Sequence, residues 1–263
     1  MNKFLLFAIL IVLSLTGCLL FAFLVKIVVK AAQSAEATSD PYLILIKPKN
    51  LKFKIINDQR CVDIPAKSSL HIQCQSEHSL SWSFPQNHKE ESHNIKNLAT
   101  IESKCENRTG EQLCTSSFKL DSLTYEQTGE YNCFYYNNSE SGEMIKHSQS
   151  IYVFVNDDNH LVVPHDGNPS IFIFLSSSTS SATVPCLPTN SNANVKLLKI
   201  VQHNEEKSNE LNSAVYLPTK GFIFPNQTWT HETAFMECKV SLRNLTQSVT
   251  VSVQWTSCGD NCR

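Results

Sequence analysis

The chain has 263 residues, of which 41% are apolar and 17% are charged, and its formal net charge is -2. This composition is typical of a globular protein of about two domains and excludes a largely disordered chain. A mildly acidic balance also argues against nucleic-acid binding, because such binding depends on cationic side chains that neutralise phosphates.

The N-terminal segment is a strongly apolar leader. Residues 4–25 carry no charge, and Lys26 and Lys30 follow them. The run is long for the apolar part of a signal peptide, about 7–15 residues, and close to the roughly 20 residues of a spanning helix. Residues 35–37 (Ala-Glu-Ala) form a small-x-small cleavage pattern. Residues 1–37 are therefore predicted to be a signal peptide or a signal anchor, and the two lysines favour cleavage under the positive-inside rule.

Residues 41–157 carry the pattern of an immunoglobulin-like sandwich. Cys74 and Cys133 lie 59 residues apart, which suits a disulfide between two facing sheets. Trp82 follows the first of these cysteines, and Tyr131 precedes the second by two residues. These are the places of the core tryptophan and of the tyrosine corner in that fold. We therefore predict a first sandwich over this range.

A second domain is predicted over residues 158–257, after a polar and turn-rich boundary. Cys186 and Cys238 are 52 residues apart, which is again an inter-sheet spacing. The strand at 195–201 lacks a core tryptophan, so that Leu197 or Leu198 must fill the space, and Met236 stands where the corner tyrosine would be.

The predicted fold class is thus all-β. It consists of two tandem immunoglobulin-like β-sandwiches after an N-terminal hydrophobic leader, and residues 258–263 form a short tail that contains two cysteines.

Cysteine usage indicates an oxidising compartment. The chain has ten Cys residues, and together with the apolar leader they indicate a protein that is secreted or on the extracellular face of the plasma membrane. The predicted disulfides are Cys74–Cys133, Cys105–Cys114, Cys186–Cys238 and Cys258–Cys262. Cys18 lies in the leader and belongs to no pair. Cys61 is then left over, as a free thiol, an intermolecular bridge, or a partner of one of the two tail cysteines.

Four N-x-[ST] sequons support the same route. A single sequon is weak evidence, but four in a cysteine-rich chain favour glycosylation in the secretory pathway. The predicted sites are Asn107, Asn137, Asn226 and Asn244.

No constellation of catalytic residues is present in the sequence. Ser116 and Lys119 match S-x-x-K, but on a predicted strand and without companion motifs. His231-Glu232 would begin a zinc-binding H-E-x-x-H, but Phe235 replaces the second ligand. Seven glycines provide no phosphate-binding loop. We therefore predict no enzyme activity, no cofactor and no metal site, and a function that depends on binding a partner.

The first domain resembles the N-terminal extracellular domain of vascular endothelial growth factor receptors. The resemblance depends on C-x7-W-S-x-P from Cys74, on K-C-E-N-R-T-G-E-Q-L-C around the local cysteine pair, and on T-G-E-Y-N-C up to Cys133. In the second domain, V-P-C at 184–186, V-K-L-L-K-I at 195–200 and K-G-F-I-F at 220–224 match as well. The resemblance covers residues 60–256 and extends to the platelet-derived growth factor receptors.

This resemblance implies binding of a dimeric cystine-knot growth factor, mainly through the second domain, with receptor homodimers or heterodimers as further partners. The residues that match the ligand-contacting positions of the family are Ile171, Phe172, Ile173, Phe174, Lys199, Ile200, Val253 and Trp255. Because side chains alternate along a strand, only two of the four residues at 171–174 can point inward. The other two would form an exposed apolar patch, which usually marks an interface.

The chain departs from the family in its extent. The receptors have seven extracellular domains in full, followed by a membrane span and a kinase, whereas this sequence stops after two domains. We therefore expect a receptor fragment or a soluble decoy without a kinase. The alternative is an immunoglobulin-type adhesion or immune-recognition protein.

Overall fold

The structure is a computed structural model. It describes residues 40–48, 51, 53–85, 95–108, 111–138, 143–165, 168, 170–176, 181–200, 209–210, 214–225 and 235–256. The predicted leader at 1–37, the tail cysteines Cys258 and Cys262, and the sequon at Asn226 lie outside these ranges. Within them, no helix has the length and apolar character that a membrane span requires.

The first sandwich consists of two sheets. One has the strand order β1-β4-β7-β6 and the other β2-β3-β9-β8-β5. The strands are β1 Tyr42–Lys47, β2 Lys54–Ile56, β3 Gln59–Pro65, β4 Leu70–Ser76, β5 Ser81–Ser83, β6 Thr100–Arg108, β7 Glu111–Leu120, β8 Gly129–Asn138 and β9 Met144–Asn156. One helical turn, α1 (Ile95–Leu98), precedes β6.

The core of this sandwich forms around a disulfide between the two sheets. Cys74 of β4 is bonded to Cys133 of β8. The Trp82 ring lies 5.8 Å from the ring of Phe118, and its Nε1 donates a hydrogen bond to Ser116 Oγ at 2.9 Å. The indole N–H of this half-buried tryptophan thereby has the acceptor it needs.

The tyrosine corner is present in the first sandwich. Tyr131 is fully buried, and its hydroxyl donates to the backbone oxygen of Gln127 at 2.9 Å. Gln127 belongs to a short 3-10 turn, Tyr125–Gln127, that leads into β8. Burial raises the pKa of the Tyr131 phenol well above its usual range, so the hydroxyl stays protonated as a donor.

A second disulfide joins neighbouring strands. Cys105 of β6 and Cys114 of β7 are directly opposite each other in the antiparallel register and are bonded. β6 is the last strand of its sheet, so this bond fastens an edge strand to the strand beside it.

The second sandwich also has two sheets, with strand orders β10-β17-β16-β12-β13 and β11-β15-β14. The strands are β10 Ile171–Ser176, β11 Ser181–Val184, β12 Asn194–Lys199, β13 Asn209–Glu210, β14 Val215–Leu217, β15 Gly221–Pro225, β16 Phe235–Leu242 and β17 Leu245–Thr256. The predicted all-β fold of two tandem immunoglobulin-like sandwiches is confirmed, whereas the exact domain boundary at 157/158 remains a prediction.

The core of the second sandwich replaces two aromatic residues by aliphatic ones. Leu197 lies opposite Cys238 in the register of β12 and β16 and is buried, whereas Leu198 is only half-buried. Leu197 is therefore the residue that takes the tryptophan's space beside the Cys186–Cys238 disulfide. Met236 is buried in the same cluster, so no phenol needs a backbone acceptor at this place.

Candidate binding face on the second sandwich

Strand β10 divides its side chains between the core and the surface. Ile171 and Ile173 are buried, whereas Phe172 is 42% exposed and Phe174 is 64% exposed. This is the period of two that a strand imposes, since β10 pairs along its length with β17. Two aromatic side chains therefore stand on the outer face of the five-stranded sheet.

A third phenylalanine extends this surface. Phe235, the first residue of β16, is 41% exposed. Phe172 and Phe235 are both register partners of Ser252 on β17, so they lie in one row across three strands. We call Phe172, Phe174 and Phe235 the phenylalanine patch.

Sequence reasoning missed Phe235, although a signal was present. Met236, Cys238 and Val240 are buried, so the alternate residues of β16 must point outward. Counting back from the core cysteine Cys238 places Phe235 on the outer face. The sequence could thus have indicated its exposure, but not its position beside Phe172.

The remaining candidate residues divide into surface and core positions. Ile200 is exposed, and its backbone N–H donates to the oxygen of Phe235 at 3.2 Å, which places it beside the patch. Lys199 is half-buried opposite Met236. Val253 is buried in the core, and Trp255 pairs with Leu175 in the register of β17 and β10. The structure therefore brings Phe172, Phe174 and Ile200 to the surface, and Ile171, Ile173 and Val253 to the core.

Polar residues surround the phenylalanine patch. Gln254 pairs with Phe174 and is exposed, and on β16 the outward positions after Phe235 are Glu237 and Lys239. An apolar centre with a polar surround is the usual anatomy of a protein interface. Within the described parts of the chain, no group of three or more His, Cys, Asp or Glu side chains could hold a metal ion.

The described sequons lie away from the patch. Asn107 is exposed on β6 and Asn137 is half-buried on β8, both in the first sandwich. Asn244 is exposed in the turn between β16 and β17, nine residues from Phe235. At about 3.3 Å per residue this is the opposite end of β16, roughly 30 Å away. Glycans at these asparagines would leave the patch accessible.

Cys61 is a buried free thiol. It packs with Tyr152, Phe154 and Ile56 on the outer face of β3 and β9. Burial is the main cause that raises the pKa of this thiol to about 11. A buried, protonated thiol is inert, so the intermolecular bridge expected as one alternative has no accessible sulfur in this fold.

Comparisons with known proteins agree with the immunoglobulin-like fold of the first sandwich. Residues 52–165 match the family model described as "VEGFR1-3, N-terminal Ig-like domain". The chain is 26% identical to human vascular endothelial growth factor receptor 1 over 227 residues, which cover 86% of this chain and 15% of that receptor. It is 27% identical to zebrafish (Danio rerio) vascular endothelial growth factor receptor 2 over 188 residues, or 72% of the chain and 13% of the receptor.

Further similarity extends to the neighbouring receptor group. The chain is 27% identical to rat (Rattus norvegicus) platelet-derived growth factor receptor alpha over 134 residues, which cover 51% of the chain and 11% of that receptor. Among solved structures, a titin immunoglobulin tandem aligns with a TM-score of 0.30 at 13% identity, covering 83% of this chain and 97% of the tandem. The four N-terminal immunoglobulin domains of Dscam1 align with a TM-score of 0.33 at 10% identity, covering 79% and 51%.

The chain spans only 11–15% of the length of these curated relatives. The matched part contains the sandwich, the inter-sheet disulfide and the local disulfide described above. Three disulfides and the match to receptor domains place this chain in a secreted or extracellular compartment. The chain is therefore similar, through its first immunoglobulin-like sandwich above all, to the vascular endothelial and platelet-derived growth factor receptors.

Proposed function

We propose that this protein binds a dimeric cystine-knot growth factor of the vascular endothelial or platelet-derived type through the phenylalanine patch. The observation that carries the proposal is the row formed by Phe172 and Phe235, with Phe174 beside it, on the outer face of the second sandwich. Three partly exposed aromatic side chains on one face are unusual for a surface that stays in water. Aromatic side chains are also frequent among the few residues that dominate binding energy.

The rigid sheet and the residues beside the patch favour this face as the binding surface of the second sandwich. The rigid sheet fixes the phenylalanine backbones, so little conformational entropy is lost on binding. Ile200 extends the apolar area, whereas Glu237 and Lys239 supply charges of both signs beside it. An apolar centre would supply affinity, and the flanking charges would supply orientation and specificity.

The biological form that we propose is an extracellular receptor fragment or a soluble decoy. A chain that binds the growth factor without coupling to a signalling domain would lower the concentration of free ligand by mass action. This proposal depends on the proposed growth-factor binding by the phenylalanine patch.

The test is a binding titration of the purified, glycosylated protein with vascular endothelial and platelet-derived growth factor dimers. Saturable binding at or below micromolar concentration is expected for at least one of them. No binding at micromolar concentration of any of these dimers would refute the proposal. In parallel, beads coated with the protein should stay dispersed; homotypic aggregation without growth-factor binding would establish the adhesion alternative instead.

A further inference from the structure

Asp63 forms an unusual contact between the two sandwiches. It lies on β3 of the first sandwich, and its carboxylate accepts hydrogen bonds from Ser191, 128 residues later, in the loop before β12. The backbone N–H of Ser191 donates to Oδ1 at 2.9 Å, and its hydroxyl donates to Oδ2 at 2.5 Å. Hydrogen bonds to an ionised carboxylate are stronger than those between neutral groups.

Two further donors complete the site around this carboxylate. Lys54 Nζ lies 2.8 Å from Oδ2 and also donates to Ser191 Oγ at 2.8 Å, so the ammonium bridges the two sandwiches as well. In the orientation that satisfies its neighbours, the side-chain NH2 of Asn156 donates to Asp63 Oδ1 at 3.3 Å and to the oxygen of Thr189 at 3.0 Å. Four donors thus fill the acceptor positions of one carboxylate whose side chain is 16% exposed.

The connecting segment is fastened to the second sandwich from Leu161 onward. The Leu161 N–H donates to Gln247 Oε1 on β17, and its oxygen accepts from the Thr189 N–H at 3.0 Å. The Val163 N–H donates to the oxygen of Leu187 at 2.9 Å. Only residues 157–160 therefore separate the end of β9 from backbone that belongs to the second sandwich.

Even this short connection is held in place. The ring of His160 stacks on Tyr125 of the first sandwich, with ring centroids 3.9 Å apart and an interplanar angle of 3°. His160 also accepts at its backbone oxygen from the Thr189 hydroxyl at 2.7 Å. His160, the last residue of the connection, is thus tied to both sandwiches.

We infer that Asp63 locks the two sandwiches into a single rigid body with a fixed relative orientation. Relative motion is the default for neighbouring domains joined by a small polar interface. Here the carboxylate of one domain accepts a hydrogen bond from a backbone N–H of the other. A rotation of one domain relative to the other would therefore break several hydrogen bonds to an ionised group at once. The inference concerns the junction alone and does not depend on the proposed growth-factor binding.

The most direct test is the exchange of the Ser191 amide hydrogen in the full chain, measured by NMR or by mass spectrometry with peptide resolution. In the wild type this amide should be protected. Asp63→Ala should speed its exchange by about 10-fold or more, because its acceptor is lost. Asp121→Ala is the matched control, since Asp121 is an exposed aspartate of the same sandwich, and should change nothing.

The second measurement is the distance between spin labels carried by non-natural amino acids at the exposed positions Glu77 and Lys239, one in each sandwich. A single narrow distribution is expected for the wild type and for Asp121→Ala, and a broadened one for Asp63→Ala. Ser191→Ala, which removes the hydroxyl with its contacts to Asp63 and Lys54 but keeps the backbone N–H, should broaden it less and serves if Asp63→Ala does not fold. A broad wild-type distribution, or one that neither the Asp63 nor the Ser191 substitution changes, would overturn the inference.

Discussion

Phe174→Ala should weaken growth-factor binding without destabilising the protein. A phenylalanine buries about 200 Å² in full, and 64% of Phe174 is exposed, so a partner that covers it removes about 130 Å² from water. At about 25 cal/mol per Å², this burial is worth about 3 kcal/mol. That free energy corresponds to a roughly 150-fold increase in Kd for the alanine variant. Phe172 is 42% exposed, so Phe172→Ala should weaken binding by about 2 kcal/mol, which is a roughly 30-fold increase in Kd.

The assay is a titration of each variant with the growth factor, with its thermal unfolding recorded alongside. Tyr42→Ala is the matched control, because Tyr42 is also 64% exposed but lies on β1 of the first sandwich. Its affinity should equal that of the wild type. The reasoning is refuted if Phe174→Ala binds within two-fold of the wild type while Tm is unchanged, because the growth factor would then bind elsewhere.

Three further predictions concern stability and reactivity. Ile173→Ala empties a core position beside the patch, and we expect a loss of about 2–5 kcal/mol in the free energy of unfolding, measured with denaturant. Tyr131→Phe leaves the buried oxygen of Gln127 without its donor and should cost about 1–3 kcal/mol in the same measurement; no change would argue against a structural role for the corner. Because the pKa of Cys61 is raised from 9.0 to about 11, its thiolate fraction at pH 8 should be about 100-fold lower than that of an ordinary thiol, and peptide mapping should find it unalkylated in the native state. The thiol of Cys61 loses its proton at a lower pH in the unfolded chain than in the folded protein. The free energy of unfolding should therefore fall as the pH rises from about 9 toward 11.

Local patterns in the sequence predicted much of the fold. The first sandwich could be predicted without a structure, because its signature depends only on residue types and their spacing. The residues of this signature are Cys74, Trp82, Tyr131 and Cys133. The alternation in residues 171–174 likewise follows from strand geometry alone.

Features that depend on register could not be predicted. The proximity of Phe235 to Phe172 requires knowing that both align with Ser252. The choice of Leu197 over Leu198 as the core residue follows from its pairing with Cys238. A shift of one residue in either strand pair would have reversed these assignments.

Contacts between the two domains could not be predicted from the sequence either. Nothing about Asp63 or Ser191 in the sequence indicates that they meet, because their contact depends on how two finished sandwiches pack. Cys61 appeared unpaired from counting, but its burial depends on Tyr152 and Phe154 of a strand some 90 residues away.

The disulfide between Cys105 and Cys114 affects how easily newly made chains aggregate through the first sandwich. An edge strand that peels away exposes a row of unpaired backbone groups, which can recruit a strand from another unfolded chain. Once the cross-link has formed, β6 cannot leave β7 at this position, and Lys104 and Glu106 place charges on the same strand. Oxidation therefore keeps β7 covered by β6, and passage through an oxidising compartment becomes a safeguard against aggregation through the backbone groups of β7.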